Sequence, residues 1–127
     1  MANDNQNQTN TMPSTATGVK VENFANGQGD IAEKGDLITV DYVGMLLDGK
    51  VFDSSIDRKQ PFTFQLGVKQ VIQGWDEGLV GMRVGGKRRL IIGPDYGYGN
   101  QTVGTIPPNS TLVFDVVLLK VEKPAAK

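Results

Sequence analysis

The chain has 127 residues, and its formal net charge is −1 because 13 lysines and arginines oppose 14 aspartates and glutamates. A chain with so little net charge has no basic field to hold nucleic acid or an anionic membrane surface. The sequence contains no cysteine and no histidine, which excludes Cys/His zinc sites, thiol redox chemistry and every nucleophile triad with an imidazole base. We therefore expect no metal and no cofactor.

The two ends of the chain differ in composition from the segment between them. Residues 1–17 are rich in Asn and Thr and lack aromatic residues, which predicts a disordered tail. Residues 18–122 suffice for one domain, and residues 123–127 are expected to form a short C-terminal tail. No apolar run approaches the ~20 residues of a membrane helix, and no apolar signal segment precedes Lys20, the first basic residue. We therefore expect a cytoplasmic monomer that does not contact a membrane.

Alternation of apolar and polar residues with a period of two dominates the domain and predicts antiparallel strands. The run from Ile38 to Tyr42 alternates in this way, and so does the longer run from Leu112 to Leu118. Further short strands are predicted at 19–21, 51–52, 62–66 and 88–92, separated by turn signals at Asp48-Gly49, Gly85-Gly86 and Pro107-Pro108.

One segment follows a helical period instead. Ile72, Trp75, Leu79 and Met82 are spaced by three, four and three residues, which predicts the only substantial helix. Glycines within this segment each weaken a helix by roughly 1 kcal/mol relative to alanine, but they allow it to approach a sheet closely. An antiparallel β-sheet wrapped around one short α-helix is an α+β architecture.

Two features resemble functional motifs but have simpler interpretations. The segment from Gly81 to Arg88 resembles a phosphate-binding P-loop, yet it follows the predicted helix, whereas phosphates bind at helix N-termini. The basic run 87–89 lacks interleaved aromatic residues, so we interpret it as the solvated start of a strand. The adjacent carboxylates Asp76 and Glu77 point in different directions on a helix, which favours a solvated face over paired acid–base chemistry.

Aromatic and branched aliphatic residues concentrate near turns, in segments that also carry polar side chains. By residue type alone they are either core or the lining of an apolar pocket for a small ligand. Phe64 is better interpreted as core, although Phe62 lies two residues before it.

Several motifs, in consistent order and spacing, closely resemble the FKBP family of peptidyl-prolyl isomerases over residues 18 to 122. Together they form a much stronger signal than any one of them alone. They are VDYVGML (40–46), DG (48–49), FDSS (52–55), PF (61–62), VIQGW (71–75), PDYGYG (94–99) and IPPNSTLVF (106–114).

The resemblance implies an antiparallel half-barrel curled around one helix, with the active pocket between the helix and the concave sheet. Trp75 would form the floor, and the backbone N–H of Ile72 and the phenol of Tyr98 would donate hydrogen bonds to substrate carbonyls. The implied catalytic residues are Tyr42, Asp53, Ile72, Trp75 and Tyr98, and the implied substrate-binding residues are Phe52, Arg58, Phe62, Val71, Ile106 and Phe114. The resemblance also implies that Asp53 and Arg58 form a hydrogen-bonded pair at the rim of the pocket, although a purely structural salt bridge fits them equally well.

The implied activity is faster rotation about X-Pro bonds, which requires no histidine, cysteine or metal. Rotation about a peptide bond faces a barrier of ~18–20 kcal/mol because the planar form has a charge-separated, partly double bond. Twisting removes that charge separation, so an apolar pocket disfavours the planar form more than the twisted one. The implied partners are proline-containing peptides, unfolded or nascent proteins, and macrocyclic inhibitors such as tacrolimus and rapamycin. Thr105 departs from the aliphatic residue common in the family, which bears on substrate preference and macrocycle affinity.

Two other functions remain compatible with the residues. A domain of this fold can capture a proline-containing segment or a partner protein without turnover. A metabolite-binding domain would need a buried charge or a metal ligand, for which only Asp53 and Arg58 are candidates. The enzyme is favoured by an intact set of six implied site residues, Tyr42, Asp53, Phe62, Ile72, Trp75 and Tyr98.

Overall fold

The computed structural model describes residues 18–123, which form one antiparallel sheet with two short helices and a 3₁₀ turn. The predicted tail at 1–17 lies outside the described residues, as do residues 124–127 of the predicted C-terminal tail. The elements are β1 (Val19–Ala25), β2 (Leu37–Leu46), β3 (Val51–Ser54), α1 (Ser55–Arg58), β4 (Phe62–Gln65), α2 (Gln73–Gly78), β5 (Lys87–Ile92), the 3₁₀ turn (Pro94–Tyr96) and β6 (Leu112–Glu122).

The sheet is organised around β2. One side of β2 pairs with β6 along its whole length, from Leu37 opposite Glu122 to Leu46 opposite Leu112. Its other side pairs with β4 in the first half and with β3 in the second half. The strand order is β1-β5-β6-β2-β3, and every pairing is antiparallel. The predicted α+β class is therefore confirmed, and each predicted strand is present with somewhat different bounds.

The predicted alternation along β2 and β6 turns one set of side chains into the core. These residues are at most 6% exposed: Ile38, Val40, Tyr42, Leu112, Phe114, Val116 and Leu118. Burying a side chain of this size contributes about 1.5–3 kcal/mol to folding. The same core includes Trp75 and Leu79 from the α2 region, so the sheet and the helix share one apolar cluster.

The helix α2 is shorter than the apolar spacing predicts. Gly78 is its last residue, and Met82 lies beyond it in the following turn, although Met82 is only 3% exposed. Gly81 has a φ of +90°, a left-handed conformation that does not continue a helix. The chain then enters β5, so the glycine-rich segment leaves a helix, as predicted, and is not a P-loop.

The predicted close approach of helix and sheet is confirmed at two glycines. A Cβ atom on Gly74 would lie 2.6 Å from Cγ2 of Ile92, and one on Gly78 would lie 2.9 Å from Cδ2 of Leu90. Side chains at these two positions would push the helix away from β5. The absence of side chains here therefore brings α2, and the tryptophan it carries, down onto the sheet.

The sequence does not predict α1, which is 4 residues long and too short for an apolar period. Ser54 begins it, since its Oγ accepts a hydrogen bond from the N–H of Asp57 at 3.1 Å. Lys59 ends it with a left-handed φ of 55°.

In residues 18–123, no helix is long and apolar enough to cross a bilayer.

The interpretation of the basic run as solvated is wrong for two of its residues. Nη1 of Arg88 donates to the carbonyl oxygens of Gly78 and Val80, each at 2.9 Å, and so caps the C-terminal end of α2. Arg89 forms an ion pair with Asp115, with Nε 2.7 Å from Oδ1. These partners come from other elements, which a local charge pattern does not reveal.

Candidate active site

A cavity of about 270 Å³ opens between α2 and the sheet. Most of its lining residues are aromatic or aliphatic, and concave sites of this kind commonly bind small ligands. Its lining includes all the predicted site residues except Arg58 and Ile106. It also includes Gln70, which was not predicted. Its lining residues are Tyr42, Phe52, Asp53, Phe62, Gln70, Val71, Ile72, Trp75, Tyr98 and Phe114.

Trp75 lines this cavity and is almost fully enclosed, with 4% of its surface exposed. The rings of Tyr42 and Phe114 meet the indole edge to face, at centroid distances of 5.0 Å and 5.2 Å. Each such pair contributes about 0.5–1.5 kcal/mol beyond its buried area. Phe64 packs behind the indole at 5.6 Å, is 3% exposed and does not line the cavity, so its predicted place in the core is confirmed.

The indole N–H of Trp75 has an unusual environment. Its Nε1 is buried and has no hydrogen-bond partner among the described residues. Leaving such a donor unpaired costs about 1–3 kcal/mol, so the residue is not held here by hydrogen bonding. The indole instead presents a rigid apolar face to the cavity.

A hydrogen-bonded group of three side chains forms the polar rim. The Tyr42 hydroxyl donates to Oδ2 of Asp53 at 2.5 Å, and Nη2 of Arg58 donates to the Tyr42 oxygen at 3.2 Å. Arg58 also forms an ion pair with Oδ1 of Asp53. Arg58 therefore lies behind the cavity lining and reaches the site through Asp53 and Tyr42.

Burial and hydrogen bonding set the protonation of this rim. Burial, followed by the hydrogen bond to Asp53, raises the pKa of Tyr42 above its usual value. Hydrogen bonds to Tyr42 and Asp53 raise the pKa of Arg58. Tyr42 is therefore a neutral phenol whose proton is already engaged by Asp53.

Tyr98 differs from Tyr42, although both phenols line the same cavity. Its hydroxyl makes no hydrogen bond to any residue within 18–123. Burial, followed by the negative charge of Asp53, raises the pKa of Tyr98, which keeps the phenol protonated. The structure thus provides a donor at the cavity that no other group of the described chain uses.

Ile72 supplies a second free donor at the start of α2. Its carbonyl accepts from the N–H groups of Trp75 and Asp76, at 3.0 Å and 3.2 Å, as the first carbonyl of a helix does. Its own N–H has no partner in the described part of the chain, and no side chain caps this end of the helix. The N–H groups at a helix start carry partial positive charge and attract an acceptor oxygen.

The prediction that Asp76 lies on a solvated face is wrong. Asp76 is 8% exposed, and its carboxylate accepts from the N–H groups of Gly67 and Lys69, each at 2.8 Å. These bonds tie the loop before α2 to the helix that carries Trp75.

Ser55 is a further positioning residue that the sequence analysis missed. It is fully buried, and its Oγ accepts from the N–H of Tyr42 at 2.8 Å and donates to Oδ1 of Asp41 at 2.8 Å. The hydroxyl therefore joins α1 to the strand β2 that presents Tyr42. Its partners are 13 and 14 residues away in the chain, so no local motif reveals the contact.

The structure does not place Ile106 in the cavity. Ile106 is 4% exposed, belongs to the core cluster and forms a short antiparallel bridge with Val103. It therefore supports the loop after Tyr98 from inside.

Among residues 18–123, no cluster of three or more His, Cys, Asp or Glu side chains is arranged to hold a metal ion.

Comparison with known proteins identifies the family. A family model described as FKBP-type peptidyl-prolyl cis-trans isomerase matches residues 29–119. The FK506-binding protein of Neisseria meningitidis serogroup B is 54% identical over 105 residues, which are 82% of this chain and 96% of that protein. The peptidyl-prolyl cis-trans isomerase Fkbp12 of Drosophila melanogaster is 53% identical over 107 residues, which are 83% of this chain and 99% of that protein.

Solved structures with similar sequences share the fold. FkpA from Escherichia coli has a TM-score of 0.77 and 43% identity, with 88% of this chain and 53% of that chain covered. AtFKBP13 has a TM-score of 0.77 and 42% identity, with 84% of this chain and 94% of that chain covered. The chain therefore belongs to the FKBP family and is a peptidyl-prolyl cis-trans isomerase.

Proposed function

We propose that this chain isomerises X-Pro bonds by seating the proline ring on Trp75 while two free donors hold the neighbouring carbonyls. One observation carries this proposal: Ile72 and Tyr98 both line an aromatic cavity, and neither the Ile72 N–H nor the Tyr98 hydroxyl has a partner in residues 18–123. The backbone carbonyls of an extended peptide can accept hydrogen bonds from these donors, while its proline ring packs on the apolar surface.

The acceleration comes from the difference between the planar and the twisted bond. The planar bond is dipolar, and a cavity walled by Phe52, Phe62 and Phe114 solvates that dipole poorly. The twisted bond has lost the charge separation, so moving it from water into the cavity costs less free energy. Each ~1.4 kcal/mol of this difference accelerates rotation about tenfold. The two donors contribute orientation, because they hold the peptide on either side of the rotating bond.

The rim group forms part of the cavity wall and does not itself supply a proton to the substrate. Tyr42 is already hydrogen-bonded to Asp53, so its phenol acts as a wall and as an anchor for that carboxylate. Arg58 balances the carboxylate charge, and Asp53 in turn favours the protonated phenol of Tyr98. Val71 completes the wall beside Ile72.

The substrates we propose are proline-containing segments of peptides and of unfolded or nascent proteins. Macrocycles of the FK506 type are proposed as competing ligands, since several similar proteins are named for FK506 binding. Thr105 is exposed and outside the cavity lining, so its departure from the family's aliphatic residue leaves the cavity itself unchanged.

The test is isomerisation of short Xaa-Pro peptides, with Xaa as Leu, Phe, Ala or Glu, measured by exchange NMR without a coupled protease. We expect acceleration with Leu or Phe preferred, and slower exchange with Tyr98→Phe and with Asp53→Ala. Circular dichroism establishes that each variant is folded. Folded variants that work as well as the unmodified protein would overturn the assigned roles. A folded protein that binds the peptides without accelerating exchange would make the site a binding site only.

A further inference from the structure

The cavity that contains Trp75 is called the prolyl cavity. A second cavity lies beside it, and Val71 lines both. It has a volume of about 360 Å³, and its charged lining residues are Lys34, Lys69, Asp76 and Glu77. We call it the lysine groove. Val71 therefore lies at the boundary between the prolyl cavity and the lysine groove.

The acidic residues of the lysine groove are already engaged. Both carboxylate oxygens of Asp76 accept backbone N–H groups, those of Gly67 and Lys69. Glu77 accepts a hydrogen bond from the side-chain amide of Gln73 at 2.7 Å. Neither carboxylate forms an ion pair among residues 18–123.

The ammonium groups of the two lysines, in contrast, have no hydrogen-bond partner in the described part of the chain. Neither Lys34 nor Lys69 forms an ion pair or a side-chain hydrogen bond within the described part of the chain. The stem of Lys34 packs on Gly67, where an added Cβ atom would lie 2.8 Å from its Cγ. Both ammonium groups are therefore available to an anionic group in the lysine groove.

The backbone of Lys69 is held in a conformation that side chains rarely adopt. Its φ is 67°, and its N–H donates to Oδ2 of Asp76 at 2.8 Å. Residues other than glycine persist in this region only where their surroundings enforce it, and such positions concentrate at binding sites. Asp76 thus fixes Lys69 immediately before Gln70 and Val71, which line the prolyl cavity.

We propose that the lysine groove binds an acidic side chain of the polypeptide substrate, so that the enzyme prefers proline segments with a nearby Asp or Glu. This inference rests on the proposed function of the prolyl cavity. An extended chain advances ~3.3 Å per residue, so side chains about two to four residues from the proline can reach a neighbouring groove. The lysine groove is open to solvent, so we expect an effect of about twofold to fivefold that weakens as salt increases.

The experiment compares Leu-Pro peptides of equal length that carry Glu, Ala or Lys at one position, scanned two to four residues before and after the proline. The protein variants are Lys69→Glu, the neutral variant Lys69→Gln, and Lys50→Glu as the matched control. Lys50→Glu makes the same charge change in the turn between β2 and β3, outside both cavities. The measured quantity is the ratio of kcat/KM for the Glu peptide to that for the Lys peptide.

We expect a ratio of about two to five for the unmodified protein at low salt, a smaller ratio for Lys69→Gln, in which Lys34 remains, and the smallest ratio for Lys69→Glu. The ratio should stay unchanged in Lys50→Glu. A ratio of one at every scanned position, or an equal change in Lys50→Glu, would overturn the inference. Turnover of the Ala peptide by the unmodified protein reports the proposed function separately, so the two failures are distinguishable.

Discussion

The rest of the chain caps the C-terminal end of α2 but leaves its N-terminal end uncapped. At the C-terminal end, Arg88 donates to the carbonyls of Gly78 and Val80. At the N-terminal end, no side chain caps the helix, and the N–H of Ile72 has no partner within residues 18–123. The helix is closed by protein at the end away from the cavity and open at the end that lines it.

This contrast separates stability from function. A helix that runs only from Gln73 to Gly78 and contains glycines is not stable by itself. Packing on β5 and the charged cap from Arg88 therefore hold it in place, and hydrogen bonds to a charged group contribute about 1.5–3 kcal/mol. With stability supplied elsewhere, the N-terminal end keeps its donor for the substrate. Variants at the two ends should accordingly affect different properties.

The largest expected effect is on stability, from Arg88→Ala at the closed end. The variant leaves the carbonyls of Gly78 and Val80 without their charged donor, and we expect the free energy of unfolding in urea to fall by about 2–3 kcal/mol. This corresponds to a fall in Tm of about 10 °C or more. At a temperature where the variant is folded, kcat/KM should stay within about twofold of the unmodified value. The control is Lys87→Ala at an exposed position, and equal losses in both variants would contradict the assigned cap.

Gly74→Ala tests the packing that brings α2 onto the sheet. Alanine favours a helix by about 1 kcal/mol over glycine, yet the added Cβ would lie 2.6 Å from Cγ2 of Ile92. We expect the clash to prevail and the free energy of unfolding to fall by about 1–3 kcal/mol. Gln73→Ala, at an exposed position of the same helix, should change it by about 0.5 kcal/mol or less. Stabilisation by Gly74→Ala would show that the helix has room to move.

At the open side of the cavity, Tyr98→Phe should affect turnover and not stability. The lost hydrogen bond to a substrate carbonyl is worth about 0.5–1.5 kcal/mol, so kcat/KM should fall about twofold to tenfold. Since the hydroxyl has no partner in the described chain, Tm should change by about 1 °C or less. Tyr96→Phe, two residues away and outside the cavity lining, is the matched control. Equal kcat/KM values for the two variants would remove Tyr98 from the mechanism.

The smallest effect is a dependence of stability on alkaline pH. Burial, followed by the hydrogen bond to Asp53, raises the pKa of Tyr42 in the folded chain above its value in the unfolded chain. The contribution of the neutral phenol is therefore complete below the unfolded pKa of about 10 and is lost as pH rises through the folded pKa. Unfolding in urea should show a fall in stability above about pH 10 that is smaller in Tyr42→Phe. An identical fall in both proteins would contradict the role of Tyr42 in the rim.

The sequence predicts the parts of this molecule that depend on local patterns. Alternation along β2 and β6 predicts their buried faces, and the order of the FKBP-like motifs predicts most of the cavity lining. Ile106 lies within one of those motifs but is buried behind the cavity. A motif assigns a residue to a segment, and the direction of its side chain depends on the packing around it.

Contacts between distant segments account for what the sequence does not predict. Arg88 caps a helix that is 10 residues away, and Ser55 binds a strand 13 residues away. The carboxylate of Asp76 faces a loop rather than solvent because the helix is docked on the sheet through glycines. Each of these interactions exists only once the chain has folded, so neither charge pattern nor periodicity indicates it.

The most direct test of the contrast between the two ends of α2 is an amide NMR titration with an X-Pro peptide. We predict that the Ile72 amide proton shifts downfield and exchanges more slowly with solvent as peptide is added. The amides of Leu79 and Val80, at the end capped by Arg88, should keep their positions. Equal responses at both ends, or no response at Ile72 when peptide is bound, would contradict the assignment of the open end to the substrate.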